Sequence, residues 1–516
     1  MTTAQTTANG AAPPADAPPP EVRIAVVGAG FAGIGLGIKL LEAGIEDFVL
    51  LERAGDLGGA WRDNAYPGCA CDVPSVLYSY SFAPKPDWSH TFSPQAEIWE
   101  YLRDCADRFG VTPHIRFGAA VQDASWDDDT RRWRVRTAAG DLTAQILVAA
   151  QGGLSEPAIP DLPGLGTFAG PAFHSAQWDH GHDLSGERVA VIGTGASAIQ
   201  FVPQIQPQVS TLTVYQRTAP WVMPRRVRPI SPAEHALYRA LPAAELAVRG
   251  AIYWGREAYA LGFMHPDWFS PAERIARAHL EHQVRDPELR AKLTPAFRIG
   301  CKRILAANDW YPAITAPNAE VVTEGIAEIR ERSIVTAGGE ERDADTIIFG
   351  TGFHVTDIAI AGSIHGRGGA SLADAWGGSP KAYLGTTVAG FPNLFLMTGP
   401  NTGLGHTSIV FMIESQIAYL LDALRVMEAR AVDTIEVSPK AQAAFVAEVD
   451  RRLAGAVWST GGCASWYLDE TGRNSTIWPG GTWAFRRRLR RFDPGAYRAV
   501  RSGTPARPPA AAVRAT

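Results

Sequence analysis

The chain is short of cysteine, of long apolar runs and of net charge, and each shortage removes a class of protein. Its five cysteines (Cys69, Cys71, Cys105, Cys301, Cys463) are odd in number and scattered, which argues against a disulfide framework and for a reducing compartment. Cys69 and Cys71 are too close together for a redox CxxC motif. No uninterrupted apolar stretch is long enough to span a bilayer, and the nearest, Ala251 to Met264, is broken by Arg256 and Glu257. The first twenty residues lack the basic start and apolar centre of a signal peptide and read as a disordered tail. These absences predict a soluble, cytoplasmic protein without membrane insertion. A formal charge of -5 gives no long-range attraction to nucleic acid, and no metal-ligand spacing is present. Small-molecule chemistry is what remains.

A length of 516 residues exceeds what one hydrophobic core usually supports, so two or three domains are expected. Arg23 to Val27 reads as a buried strand running into Gly28-Ala29-Gly30-Phe31-Ala32-Gly33, followed by apolar residues at helical spacing through Leu41. In such a turn the first glycine makes the tight bend. The second lets the backbone approach a pyrophosphate, and the third lets helix and strand pack closely. The helix N-terminus then offers free N-H groups to the phosphates. A second strand, Phe48 to Leu51, ends at Glu52, placed to accept from ribose hydroxyls.

The pattern recurs in the strand Arg188 to Ile192, the turn Gly193-Thr194-Gly195-Ala196-Ser197-Ala198 and a helix opening at Ile199. Here the next strand, Thr211 to Tyr215, ends in Gln216-Arg217-Thr218 instead of an acid. A guanidinium can pair with a 2′-phosphate that a carboxylate would repel, so the second site suits NADPH. Two fingerprints imply two dinucleotides, and the N-terminal one usually takes FAD. The fold class expected is α/β, with two Rossmann-like dinucleotide-binding domains and a helical insertion. The FAD domain should comprise residues 21-155 and 385-495. The NADPH domain should comprise 156-384, with a helical lobe at about 228-300; outside both domains, 1-20 should be a disordered tail and 496-516 a flexible one. Ser231-Pro-Ala-Glu234 and Ser270-Pro-Ala-Glu273 both match a capping box with proline at the first helical position. Five arginines between Arg486 and Arg491 read as a solvated helix face.

Phe168-x-Gly170-x-x-x-His174-x-x-x-Trp178-Asp179 matches the fingerprint of Baeyer-Villiger monooxygenases at every specified position. Gly59-x-Trp61, Tyr66-Pro67-Gly68 and Asp72 resemble a second pattern of that family, just after its FAD site. The resemblance runs from Val22 to about Arg486. It implies an enzyme that uses NADPH-reduced FAD and dioxygen, through a flavin peroxide, to insert one oxygen atom beside a ketone carbonyl. By the same resemblance Gly300-Cys301-Lys302-Arg303, ahead of Asn308-Asp309-Trp310-Tyr311, is the segment carrying the active-site arginine. Arg303 then lies over the flavin, Asp72 orients it and Lys302 helps hold the NADPH phosphate. Trp61 belongs to the flavin side, while Phe168, Gly170, His174 and Trp178 are conformational. The strand before Leu154 ends in Ala150-Gln151-Gly152 where many relatives have Ala-Thr-Gly. The nearest alternative is a flavin-containing monooxygenase that oxidises nitrogen or sulfur on the same two folds. A ketone and dioxygen are the expected partners, with a monomer or dimer as the oligomer.

Overall fold

The computed structural model describes residues 20-501. Two parallel-strand sheets organise the chain. In the first, the strand Glu21–Val27 is buried along its C-terminal half and pairs in parallel with Phe48–Leu51 on one side and Leu142–Ala149 on the other. Ile115–Arg116 extends the sheet beyond Phe48–Leu51. Val121–Asp127 and Arg132–Thr137 continue it as an antiparallel flap. Two late segments return to it, since Leu394–Leu396 pairs with Leu142–Ala149 and Ile364–His365 with Val121–Asp127. At its centre Phe48–Leu51 and the C-terminal halves of Glu21–Val27 and Leu142–Ala149 are apolar and buried, because helices and loops cover both faces.

The second sheet is parallel throughout, in the order Ala319–Val322, Thr211–Tyr215, Arg188–Ile192, Thr346–Phe349, Ala172–His174. Between the third and fourth of its strands in chain order, Thr211–Tyr215 and Ala319–Val322, comes the helical lobe: Pro232–Ala240, Pro242–Met264, Ser270–Gln283 and Pro287–Lys292. This mixed α/β arrangement is the one the two sequence fingerprints predict.

Ser231 forms the expected capping box with Glu234. The second expected box is corrected. Ser270 is already inside its helix, because the tight turn Pro266–Phe269 runs straight into it and makes Phe269 the N-cap. Its hydroxyl donates instead to the Asp267 carbonyl, and the Glu273 carboxylate accepts from the Ile299 N-H. The flexible tail expected from residue 496 is also corrected at its start, where Tyr497–Arg501 forms a strand antiparallel to Val432–Val437. Residues 1-19 and 502-516 of the expected tails lie outside the described residues. The arginine run is not one solvated face either. The helix Thr482–Arg488 ends within it, with Arg486 paired to Glu414 and Arg488 to Glu448.

Candidate active site

Each glycine-rich turn has the geometry its sequence requires. Gly28 has φ +102°, a conformation that side chains rarely adopt. A Cβ at Gly33 would lie 2.0 Å from the Gly28 carbonyl oxygen, so the helix Phe31–Glu42 sits on the strand as only glycine permits. Gly30 differs, because a Cβ there would meet no protein atom nearer than 3.7 Å. The protein does not fill that side of the turn, and a pyrophosphate suits it. Glu52 is buried and accepts from the Ala29 N-H at 2.9 Å, the Ala54 N-H at 3.0 Å and Arg62 at 2.9 Å. An ionised carboxylate has about four acceptor positions, so one remains for a hydroxyl. Trp61 donates to the Tyr78 hydroxyl at 3.0 Å and packs against both the first-sheet and the second-sheet core.

At the second turn Gly193 has φ +109°, and a Cβ would lie 2.4 Å from the Gly350 carbonyl oxygen. Gly195 is exposed, and Ser197 precedes the helix Ala198–Ile205 without capping it. Arg217 and Thr218 are exposed at the end of Thr211–Tyr215, and Lys302 reaches across to donate to the Thr218 hydroxyl at 2.7 Å. Burial, and then the charge of Arg217, push the Lys302 pKa below its ordinary value. Among the described residues neither cation has a carboxylate within ion-pair distance. Two cations and a hydroxyl, held together without an anion, form a cradle that fits a phosphate.

The patterns that flank these turns prove to be docking devices. The Tyr66 hydroxyl donates to the Gln200 side chain at 3.0 Å, and Gln200 donates to the Ala70 carbonyl at 2.9 Å. Tyr66-Pro67-Gly68 therefore lies on the helix that opens from the second turn. A Cβ at Gly170 would lie 2.0 Å from the Asp345 carbonyl, and Phe168 packs on the same part of the second sheet. Trp178 sits between Phe173 and Phe201 at 5.4 and 5.3 Å.

His174 ends the edge strand Ala172–His174, accepts from the Ala176 N-H at 3.1 Å and is fully buried beside Phe353. Burial pushes its pKa down from 6.5 to about 4. In that window the unfolded chain binds a proton that the folded one refuses, so folding stability falls as pH drops from 6.5 towards 4. The stability advantage of wild type over His174→Gln should therefore shrink across that range in denaturant titrations. A difference that does not change with pH would show that His174 is not held neutral.

The Arg303 guanidinium donates to Asp72 Oδ2 through Nε at 3.0 Å and Nη2 at 2.6 Å, and to the Leu404 carbonyl through Nη1 at 3.1 Å. Burial raises the Asp72 pKa, but Arg303, with Arg256 and Arg225 behind it, outweighs burial and holds the carboxyl below its ordinary value. Asp72 in turn raises the pKa of Arg303. Both side chains lie deep in the molecule yet keep 36% and 27% of their surface exposed, which marks them as lining an interior space. Arg303 carries five N-H donors and commits three, leaving two for that space.

Sequence reading did not single out the supporting residues. Arg225 donates to the Cys71 carbonyl at 2.6 Å. Arg256 donates to the carbonyls of Asp72 at 3.4 Å and His406 at 3.2 Å, pinning two loops to each other. Beside it the buried Glu257 carboxylate accepts from the Thr482 backbone and hydroxyl and pairs with His406. The only sequence signal for this pair was the charged break in an apolar stretch.

The expectation of unpaired cysteines is corrected. Cys301, next to Lys302-Arg303, forms a disulfide with Cys463, their Cα atoms 6.1 Å apart. The partners are 162 residues apart in sequence, a pairing made by the tertiary fold that spacing cannot reveal. The cysteine count therefore no longer argues for a reducing compartment.

The flavin-binding monooxygenase-like family model matches residues 21-242. A Baeyer-Villiger monooxygenase of Streptomyces coelicolor is 52% identical over 483 residues, 93% of either chain. The chain belongs to the Baeyer-Villiger monooxygenase family. Among solved structures, cyclohexanone monooxygenase in a closed form superposes with a TM-score of 0.83 at 29% identity, covering 94% of this chain and all of that one. OTEMO in complex with FAD and NADP superposes at 0.82 with 25% identity, covering 93% of this chain and 99% of that one. For this family member no described helix is long and apolar enough to cross a membrane.

Proposed function

We propose that this chain, with FAD and NADPH bound, inserts one oxygen atom of dioxygen beside a ketone carbonyl to give an ester or lactone. The observation that carries this reading is the Arg303–Asp72 pair, a fixed cation with two unspent donors lining an interior space. Bound FAD, reduced by hydride from NADPH, supplies the activation of dioxygen that side chains cannot. Addition to a ketone carbonyl turns its oxygen into an anion. The free N-H groups of Arg303 are the donors for that anion, oriented in advance and sheltered from bulk water. Arginine suits the task because it cannot lose its proton at working pH. Asp72 fixes the plane of the guanidinium, and the Leu404 carbonyl fixes its third edge.

Cyclic, linear, aryl and steroid ketones should be offered with NADPH and the products identified by mass spectrometry. Ester or lactone from at least one class is the expected result. Oxygenated products from amines and sulfides alone would give the protein to nitrogen or sulfur oxidation instead.

Arg217, Thr218 and Lys302, two cations and a hydroxyl without a neighbouring carboxylate, support a 2′-phosphate at the second dinucleotide site. NADPH should be preferred to NADH by at least about tenfold in kcat/KM, equivalent to about 1.4 kcal/mol. Arg217→Ala should erode that preference through the KM for NADPH. Equal use of the two coenzymes by wild type in steady-state kinetics would remove the assignment.

A further inference from the structure

Arg303 stands on backbone that no regular element holds. Between the helix Pro287–Lys292 and the short strand Leu305–Ala306, residues 293–304 form neither helix nor strand. Residues 461–467, which follow the short helix Val457–Thr460, are equally irregular. Among the described residues one backbone hydrogen bond joins the two segments, from the Arg298 N-H to the Gly461 carbonyl at 3.0 Å. The Cys301–Cys463 disulfide is their covalent tie. Both ends of that tie sit on the reaction machinery. Cys301 is followed by Lys302, which reaches Thr218 in the phosphate cradle, and by Arg303 with its free donors. Four residues past Cys463, the buried Tyr467 lies close enough to Arg303 for its phenol to help raise the guanidinium pKa. Access to the two sulfurs is unequal. Cys301 is fully buried in the first-sheet core, whereas Cys463 is half-buried between the exposed Gly462 and Ala464, in a loop that continues to Trp466, itself 45% exposed. A thiolate arriving from solution meets Cys463 first, and the sulfur that can be reached is the one that exchanges.

We propose that this disulfide is a thiol–disulfide exchange site through which a dithiol reductant turns down oxygen insertion, an inference that rests on Arg303 being the donor to the oxyanion. A thiolate of the reductant attacks Cys463 Sγ, the S–S bond breaks, and its electron pair leaves on Cys301 Sγ, which takes a proton. The second thiol of the reductant then displaces Cys463 as a thiol and departs as a cyclic disulfide. Two electrons and two protons pass to the protein, and an oxidised dithiol takes them back by the reverse steps. Two thiol sulfurs do not stay at a bonded separation, so reduction obliges the segments to part. Cys301 cannot give way, because the core encloses it and Gly461 already lies so close that a Cβ there would be 2.7 Å from the Cys301 Cβ. The movement therefore falls on residues 461–467, and Arg303 loses both the covalent hold on its segment and the wall that Tyr467 provides. A bond that served stability alone would change the melting temperature on reduction and leave the chemistry of the folded protein as it was.

The test equilibrates the flavin-loaded protein with reduced or oxidised dithiothreitol, at a temperature where both forms keep native circular dichroism. N-ethylmaleimide should label Cys463 only in the reduced form, as located by peptide mass mapping. Amide hydrogen exchange should rise on reduction in residues 298–304 and 461–467 and stay unchanged in the strands of the second sheet. Ester or lactone formed per NADPH consumed should fall roughly tenfold to a hundredfold, the scale on which about 1 Å of misplacement acts. It should recover when oxidised dithiothreitol replaces the reduced form. Cys463→Ser should behave as the reduced form does and no longer respond to the dithiol. The inference is overturned by a maleimide label at Cys463 in both forms, by equal exchange at residues 298–304, by equal product per NADPH, or by a Cys463→Ser variant that still responds. A lowered melting temperature as the sole effect of reduction also overturns it, and leaves the bond a staple. Absence of ester from both forms with every ketone class would instead overturn the proposed reaction, and the exchange measurement would then decide by itself whether the bond holds the Arg303 segment.

Discussion

Arg303→Ala should fold, retain FAD and form ester or lactone about a hundredfold to a thousandfold more slowly than wild type. That range is the usual cost, about 2.7 to 4 kcal/mol, of deleting one donor aimed at a developing oxyanion. The fold should survive because the Asp72 carboxylate is not abandoned. Arg256 and Arg225 still face it, and both are anchored on neighbouring carbonyls. Arg303→Lys keeps the charge but cannot hold Asp72 Oδ2 from two nitrogens and the Leu404 carbonyl from a third, so partial activity is expected. Asp72→Ala is the structurally harsher change. It removes the carboxylate that three guanidiniums share and leaves like charges facing one another, so its stability should fall further than that of Arg303→Ala. Product formed per NADPH consumed, with denaturant midpoints for each variant, separates the two effects. If Arg303→Ala makes ester at the wild-type rate, the oxyanion donor is another group and the reading of the site fails.

The parts legible in the sequence are those that local chemistry determines. Glycines that must adopt φ near +100° at Gly28 and Gly193, or admit a carbonyl where a Cβ would sit at Gly33 and Gly170, are visible as letters because no other residue serves. The strands Arg188–Ile192 and Thr211–Tyr215 fall on the predicted residues because they are short apolar runs bounded by turn chemistry. Pairing across long sequence distances leaves no local mark. Nothing near Cys301 announces Cys463, and nothing near Asp72 announces Arg225 or Arg256. The missed capping box shows the limit of motif spacing. Ser270 has the right neighbours, but the turn before it continues the helical backbone, so Ser270 is already the first residue of the helix and its hydroxyl is turned back to the Asp267 carbonyl. Arg256 was noticed only as an interruption to an apolar run, whereas its contacts make that interruption the link between the helical lobe and the candidate catalytic pair.

The two glycines of the first turn should respond to the same substitution in opposite ways. In Gly33→Ala the new methyl group would sit 2.0 Å from the Gly28 carbonyl oxygen, which is backbone and cannot step aside. The helix Phe31–Glu42, packed in the first-sheet core, would have to lift off the strand Glu21–Val27. That variant should lose stability even as the flavin-free protein and be recovered mostly insoluble. In Gly30→Ala the methyl group meets only ordinary contacts, the nearest being Gly59 Cα at 3.7 Å, and the backbone there is not in the left-handed region. The flavin-free fold should therefore be as stable as wild type. What the methyl group does occupy is the open side of the turn, where a pyrophosphate must approach the backbone. Gly30→Ala should be soluble and nearly colourless, with flavin content below about a tenth of wild type, since about 1.4 kcal/mol of lost binding already lowers affinity tenfold. Absorbance of the purified proteins and thermal melts of their flavin-free forms measure both quantities. A yellow Gly30→Ala variant with full flavin content would mean that the dinucleotide does not lie against this turn, and the placement of the first site would have to be abandoned.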